Sequence, residues 1–188
     1  MKVYVGGING SGKTTILKEV AKQLGFEYIS TSKLMMEMLG HPGDYEYLRS
    51  IPGDEQMEIR EKMFNDLALD EDRNLIVDSH YLNLIRGKTN IITRDAIKKF
   101  DILVLISAPI DQIWKRVCAD ETTRDRALFP ESFSGEESFE VLTQYQEDTR
   151  QEFIRLAKLH QKKNIEIINV DGKLEKAVKE LVDFIKQC

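Results

Sequence analysis

Eight consecutive residues, Gly7-Ile8-Asn9-Gly10-Ser11-Gly12-Lys13-Thr14, have the types and spacing to hold a phosphate. Gly7, Gly10 and Gly12 permit positive φ and close backbone approach, so successive N–H groups, Asn9 and Ser11 among them, can wrap an oxyanion. A helix starting at Lys13 or Thr14 turns its positive end toward the same point. Lys13 reaches terminal phosphates as a compact point charge, and the Thr14 hydroxyl suits Mg²⁺. Thr15, next in the first turn of the helix, is a further candidate to bind the nucleotide. A plain glycine turn capping a helix would use similar residues, so the flanking elements decide between the two.

Those elements fit the phosphate loop. Lys2-Val3-Tyr4-Val5 before it is a β-branched and aromatic run suited to a buried strand. After it, Ile16, Leu17, Val20, Ala21 and Leu24 form one apolar helical stripe. Strand-like segments recur at 26–30, 75–78, 102–106 and 165–170, with helical patterns between them. The run at 102–106 is the most apolar and is expected inside the sheet. A long helix is predicted over about 136–163, and a last one carries Leu174, Val178, Leu181 and Ile185 on one face. Alternating strands and helices predict an α/β fold, three layers around a five-stranded, mainly parallel sheet. Two polar excursions interrupt it, at about 31–70 and 120–137, and both emerge near the carboxyl ends of strands, where such sheets bind ligands.

Further candidates sit at those ends. Asp78 closes an apolar strand and is placed to accept from Mg²⁺-bound water, or else to cap the next turn. Arg116, Arg124 and Arg126 can neutralise a phosphoryl group in transfer, although Asp120, Glu121 and Asp125 among them would equally make a solvated face. Arg49 could grip an acceptor phosphate, with Arg60 a weaker candidate. Ser30, Thr31 and Ser32 could touch an acceptor or cap a helix, and His80 could contact an acceptor or serve structure. His41 and His160 show no evident partners. Trp114 and the methionines fall at core spacing.

The chain has 188 residues, enough for one domain with a well-buried core. A formal net charge of −5 argues against broad contact with nucleic acid. Cys118 and Cys188 form no C-x-x-C pair, and no apolar run is long enough to span a membrane. A start directly in a core strand leaves no signal peptide, so a cytoplasmic location is expected.

Taken together, these segments resemble the nucleoside monophosphate kinases, most closely the archaeal-type adenylate kinases. Leu48-Arg49-Ser50-Ile51-Pro52-Gly53-Asp54-Glu55-Gln56 is similar to that family's acceptor-binding segment. Val77-Asp78-Ser79-His80 resembles its Asp-Thr-His element, and Arg116 with Asp120 to Arg126 resembles its lid. Asn169-Val170-Asp171-Gly172 resembles the loop near the adenine. The resemblance implies a P-loop NTPase fold with an acceptor-binding helical insertion at about 31–70 and a short lid at about 120–137. It also implies ATP and Mg²⁺ as cofactors. Lys13, Arg116, Arg124 and Arg126 would act on the transferring phosphate, and Thr14 and Asp78 would organise Mg²⁺. Asp171 and Gly172 would lie at the nucleotide, while Ser30, Thr31, Arg49 and His80 would lie at the acceptor. The chain departs from the pattern at Ser79, at the bulky Tyr81-Leu82-Asn83-Leu84, between Thr122 and Arg124, and over 39–47. Those departures bear on the acceptor base more than on the reaction.

The expected reaction is transfer of the ATP γ-phosphoryl group to a nucleoside monophosphate, AMP foremost. Homo-oligomers occur in the resembled family and are compatible with this chain. Two rivals remain: a kinase with a hydroxyl acceptor and Asp78 as base, and an adenylate-kinase-like ATPase acting as an assembly or regulatory factor. No Asn-Lys-x-Asp guanine element or ABC signature is present.

Overall fold

Strand and helix alternate in the computed structural model as the sequence pattern predicts; it describes residues 1–69, 72–91, 95–121 and 128–188. The first half holds β1 (Lys2–Gly6), α1 (Lys13–Leu24), β2 (Glu27–Ser30), α2 (Thr31–Met38), α3 (Tyr45–Ser50), α4 (Gly53–Leu69) and β3 (Leu75–Asp78). Next come β4 (Leu82–Ile85), β5 (Lys88–Ile91), a 3-10 turn (Ala96–Lys99) and β6 (Ile102–Ser107). The rest is α5 (Ile110–Glu121), α6 (Gly135–Leu159), β7 (Lys163–Ile168) and α7 (Leu174–Lys186).

The main sheet has five parallel strands in the order β2-β3-β1-β6-β7. Its interior strands are apolar on both sides, and the twofold alternation of side chains assigns each residue to a layer. Tyr4, Leu75, Val77, Leu103 and Leu105 face one core with Met63 and Phe64 of α4 and Phe153 and Leu156 of α6. Val3, Val5, Ile76, Ile102, Val104 and Ile106 face the other, under α1 and α7. A third cluster joins Ile8, Leu82, Leu84, Ile113, Val117, Leu142 and Tyr145 above the carboxyl edge. The three-layer α/β fold and its five parallel strands are thus as expected.

Three local expectations are corrected. The last strand runs over Lys163–Ile168, not 165–170, because the register with β6 pairs Ile102 with Lys163 and Ser107 with Ile168. β7 is an edge strand, and its polar first residues hide it from an apolar search. The long helix accordingly stops at Leu159, with Gln161 at φ 50°. The bulky stretch after His80 is an antiparallel hairpin, β4 with β5, which the sequence pattern did not predict. Ser134 begins α6 with a capping box: its hydroxyl accepts from the Glu137 N–H and its own N–H donates to the Glu137 carboxylate.

Candidate active site

β1 ends at Gly6, and residues 7–12 curl over the carboxyl edge of the sheet into α1. Gly12 takes the left-handed conformation at φ 84° as the residue before the helix. Two side chains, Asn169 and Arg116, hold the loop from outside. The Asn169 side chain, from the loop after β7, donates to the Ser11 carbonyl at 2.8 Å. Arg116 of α5 donates to the Gly10 carbonyl at 2.9 Å and also pairs with Asp171. Inside the loop, Ser11 Oγ donates to the Ile8 carbonyl at 2.8 Å. Lys13 is buried, and its Nζ donates to the carbonyls of Gly7 (2.8 Å) and Ile8 (3.1 Å).

Asp78 stands opposite, on β3 beside β1. Its Oδ2 accepts from Thr14 Oγ1 and from the Tyr28 hydroxyl, both at 2.8 Å. Partial burial, reinforced by the Asp78 charge, pushes the Tyr28 phenol well above its usual pKa, so it remains a donor. Asp78 is therefore not a turn cap; it faces the phosphate loop. The pair Thr14 and Asp78 supplies two hard oxygen groups, the donor chemistry that Mg²⁺ takes, and two such ligands beside a phosphate loop fit its habit of keeping waters.

Beyond Asp78 lies a polar shelf. Thr31 Oγ1 lies 3.2 Å from the Asp78 carbonyl and 3.4 Å from Ser79 Oγ. Ser30 Oγ meets Ser32 Oγ at 3.3 Å and makes no side-chain cap to α2. The Tyr4 hydroxyl reaches Ser79 Oγ (3.0 Å) and the His80 carbonyl (2.5 Å). His80 Nδ1 lies 2.8 Å from the Gly7 carbonyl, so this histidine touches the phosphate loop directly.

The structure thus brings together Gly7, Asn9, Gly10, Ser11, Gly12, Lys13, Thr14, Asp78, His80, Arg116 and Asp171. Thr15 faces outward, lining a groove between α1 and α7 with Lys18 and Leu174. Gly172 follows Asp171 in the turn before α7. Arg49 is exposed on α3. Arg124 and Arg126 lie outside the described residues, with the rest of 122–127 in the predicted lid. His41, for which no partner was evident, stacks on Tyr47 with ring centroids 3.6 Å apart. Tyr28, Tyr4 and Asn169 were missed as site residues. Tyr28 and Ser30 share a strand face, a usable signal, but only the pairing of β2 with β3 carries that face to Asp78. Among the described residues, no helix is long and apolar enough to cross a membrane.

A family model described as "AAA domain" matches residues 6–132, and the chain belongs to that P-loop family. The adenylate kinase of Methanothermobacter thermautotrophicus is 26% identical over 195 residues, covering 98% of each chain. That of Thermoplasma acidophilum is 25% identical with the same coverage. A putative adenylate kinase of Pyrococcus abyssi is 31% identical over 86 residues, 45% of this chain and 43% of its own. In fold, the chain is similar to the shikimate kinase of Bacteroides thetaiotaomicron, with a TM-score of 0.69 at 16% identity over 98% of this chain and 97% of that one. The shikimate kinase of Acinetobacter baumannii gives a TM-score of 0.68, also at 16% identity, over 98% and 92%. Fold, family and relatives together define a P-loop kinase acting on a small molecule.

Proposed function

We propose that this kinase transfers the γ-phosphoryl group of Mg·ATP to a nucleoside monophosphate, with AMP the expected acceptor. The observation that carries the proposal is the Thr14–Asp78 contact at 2.8 Å, which sets a β3 acid against the phosphate loop and beside the shelf of Ser30, Thr31 and Ser79. Full-length similarity to archaeal adenylate kinases supports it. Mg²⁺, when bound, compensates phosphate charge, and Thr14 and Asp78 are the residues that would hold it.

A phosphate acceptor is already an oxyanion near neutral pH, so no base is required. Catalysis then reduces to alignment, charge compensation and exclusion of water. Lys13 carries the first charge. Arg116, with Arg124 and Arg126 of the lid, carries the rest. In this scheme the 31–70 insertion holds the acceptor, the 120–137 segment closes over both substrates, and the enzyme works in the cytoplasm.

One observation favours a second reading. Asp78 Oδ1 enters no hydrogen bond among the described residues, so that oxygen is available to take a proton from a hydroxyl acceptor. A coupled ADP-release assay separates the two. Mg·ATP is offered with AMP, CMP, UMP, GMP, nucleosides, hydroxy acids and no acceptor. Strong stimulation by one monophosphate is expected, and Lys13→Ala should cost at least ~100-fold in turnover with the melting curve intact. Normal turnover in Lys13→Ala, or a slow rate indifferent to every acceptor, refutes the assignment. Stimulation by hydroxyl compounds alone moves Asp78 to the base role.

A further inference from the structure

A cavity of about 210 Å³ opens between α6 and the carboxyl half of β6 and β7. The strand register explains what faces it. Side chains alternate across the sheet, so Leu105 and Ser107 of β6 point to the α6 side, and Glu166, paired with Leu105, points there too. Ile8 and Ile110 extend the apolar wall, and Gln146, Thr149 and Arg150 of α6 close the other side. This place is separate from the acceptor shelf: Asp78 stands on β3, and β1 lies between β3 and β6. It backs onto the phosphate loop, because the carbonyl of Ile8 accepts from Lys13 Nζ and Ser11 Oγ.

Two polar side chains in this wall are unsatisfied. Thr149 is 1% exposed, and its Oγ1 has no hydrogen-bond partner among the described residues. Gln146 Oε1 is buried and equally without one. A helical threonine can bond back to the carbonyl four residues earlier, as Thr143 does to Phe139 at 2.8 Å, but Thr149 makes no such bond. Its hydroxyl can both donate and accept, and the Gln146 amide can present either its N–H or its carbonyl.

The rest of the wall restricts what can pair with them. Glu166 is already matched, accepting from Ser107 Oγ at 2.8 Å and from Arg150 Nε at 2.9 Å. An anion would therefore meet Glu147 and Glu166 with Arg150 engaged. A metal ion would find no group of three His, Cys, Asp or Glu among the described residues. A wholly apolar ligand would leave Thr149 and Gln146 unpaired. A neutral molecule with hydroxyls on one side and hydrocarbon on the other fits. Size narrows it further: a cavity of about 150 Å³ takes a benzene ring, so this one takes a single substituted six-membered ring and not a nucleoside.

We propose that this cavity is a binding site for a neutral, polyhydroxylated single-ring compound of the cyclitol or pyranose class. Its hydroxyls would pair with Thr149 and Gln146, and its C–H face would pack on Ile8, Leu105 and Ile110. The assignment does not depend on which acceptor the kinase takes.

The test follows the melting temperature of the full chain with myo-inositol, glucose, acetate and ammonium as probes. Millimolar concentrations keep it below the range in which polyols stabilise proteins generally by exclusion from their surfaces. At least one of the two ring polyols should raise the melting temperature saturably by about 3 °C or more. Acetate and ammonium should not. Thr149→Val is nearly isosteric and should weaken polyol binding ~10-fold or more, and Gln146→Leu should do the same. If Thr149→Val does not fold, Gln146→Leu, at a half-buried position, carries the comparison. A polyol held at the acceptor shelf instead would keep its shift in both variants. No saturable shift by either polyol, a shift that a folded variant retains, or an equal shift by acetate or ammonium overturns the proposal.

Discussion

Gly12→Ala tests whether the phosphate loop is shaped from outside by Asn169. A Cβ on Gly12 would stand 2.3 Å from Asn169 Nδ2, the same atom that donates to the Ser11 carbonyl at 2.8 Å. Asn169 is buried and its main-chain N–H is fixed to the Ser107 carbonyl, so the amide has little room to retreat. Two costs combine. Alanine at φ 84° carries a left-handed penalty of roughly 1–2 kcal/mol. Expelling the amide removes a hydrogen bond worth about 1 kcal/mol. The sum, about 2–3 kcal/mol, should lower the melting temperature by roughly 5–10 °C in a chain of this size. Asn169→Ala alone loses the bond but not the strain, and should cost about 1 kcal/mol. The double variant is the decisive one. With the amide gone the clash vanishes and the hydrogen bond cannot be lost twice, so it should be more stable than the sum of the singles by about 1 kcal/mol. Urea denaturation of the four proteins measures this. Additivity within about 0.5 kcal/mol refutes the contact, and a Gly12→Ala protein as stable as the parent refutes the loop geometry itself.

Other perturbations follow from contacts at the same edge. Tyr28→Phe removes one of two donors to Asp78 Oδ2 while keeping the ring; the Mg²⁺ needed for nucleotide binding should rise about tenfold, and a titration within twofold of the parent counts against a positioning role. Gly6→Ala drives a Cβ to 2.2 Å from the Tyr81 ring, which is fully buried and tied to the Val104 carbonyl at 3.0 Å. Overpacking there should cost about 1–3 kcal/mol, with Tyr81→Leu restoring part of it; a variant melting like the parent contradicts the packing of β1 beneath the hairpin.

The phosphate loop was legible because its chemistry is local: strand, glycines, Lys13 and Thr14 are consecutive. Asp78 was legible as the polar end of an apolar run. The shelf around it was not, because Tyr4, Tyr28, Thr31 and Ser79 come from two strands, a helix and the loop after β3, and the strand order β2-β3-β1 leaves no mark in any one segment. The hairpin escaped for a different reason. Its turn is Arg86-Gly87, at φ 48° and 75°, where two left-handed residues match the strand twist. Asparagine or aspartate usually announces that turn, and arginine does not. α3 is six residues long, too short for a helical period to register.

Lys13 is prepared before any nucleotide arrives, and that preparation bears on how binding energy is used. Lys13 is already stripped of water and satisfied by the Gly7 and Ile8 carbonyls. A phosphate that takes it exchanges neutral acceptors for a charged one, and charge-assisted bonds are about twice as strong. The nucleotide half is thus preorganised, its desolvation met by folding, and its loop is pinned by Asn169 and Arg116.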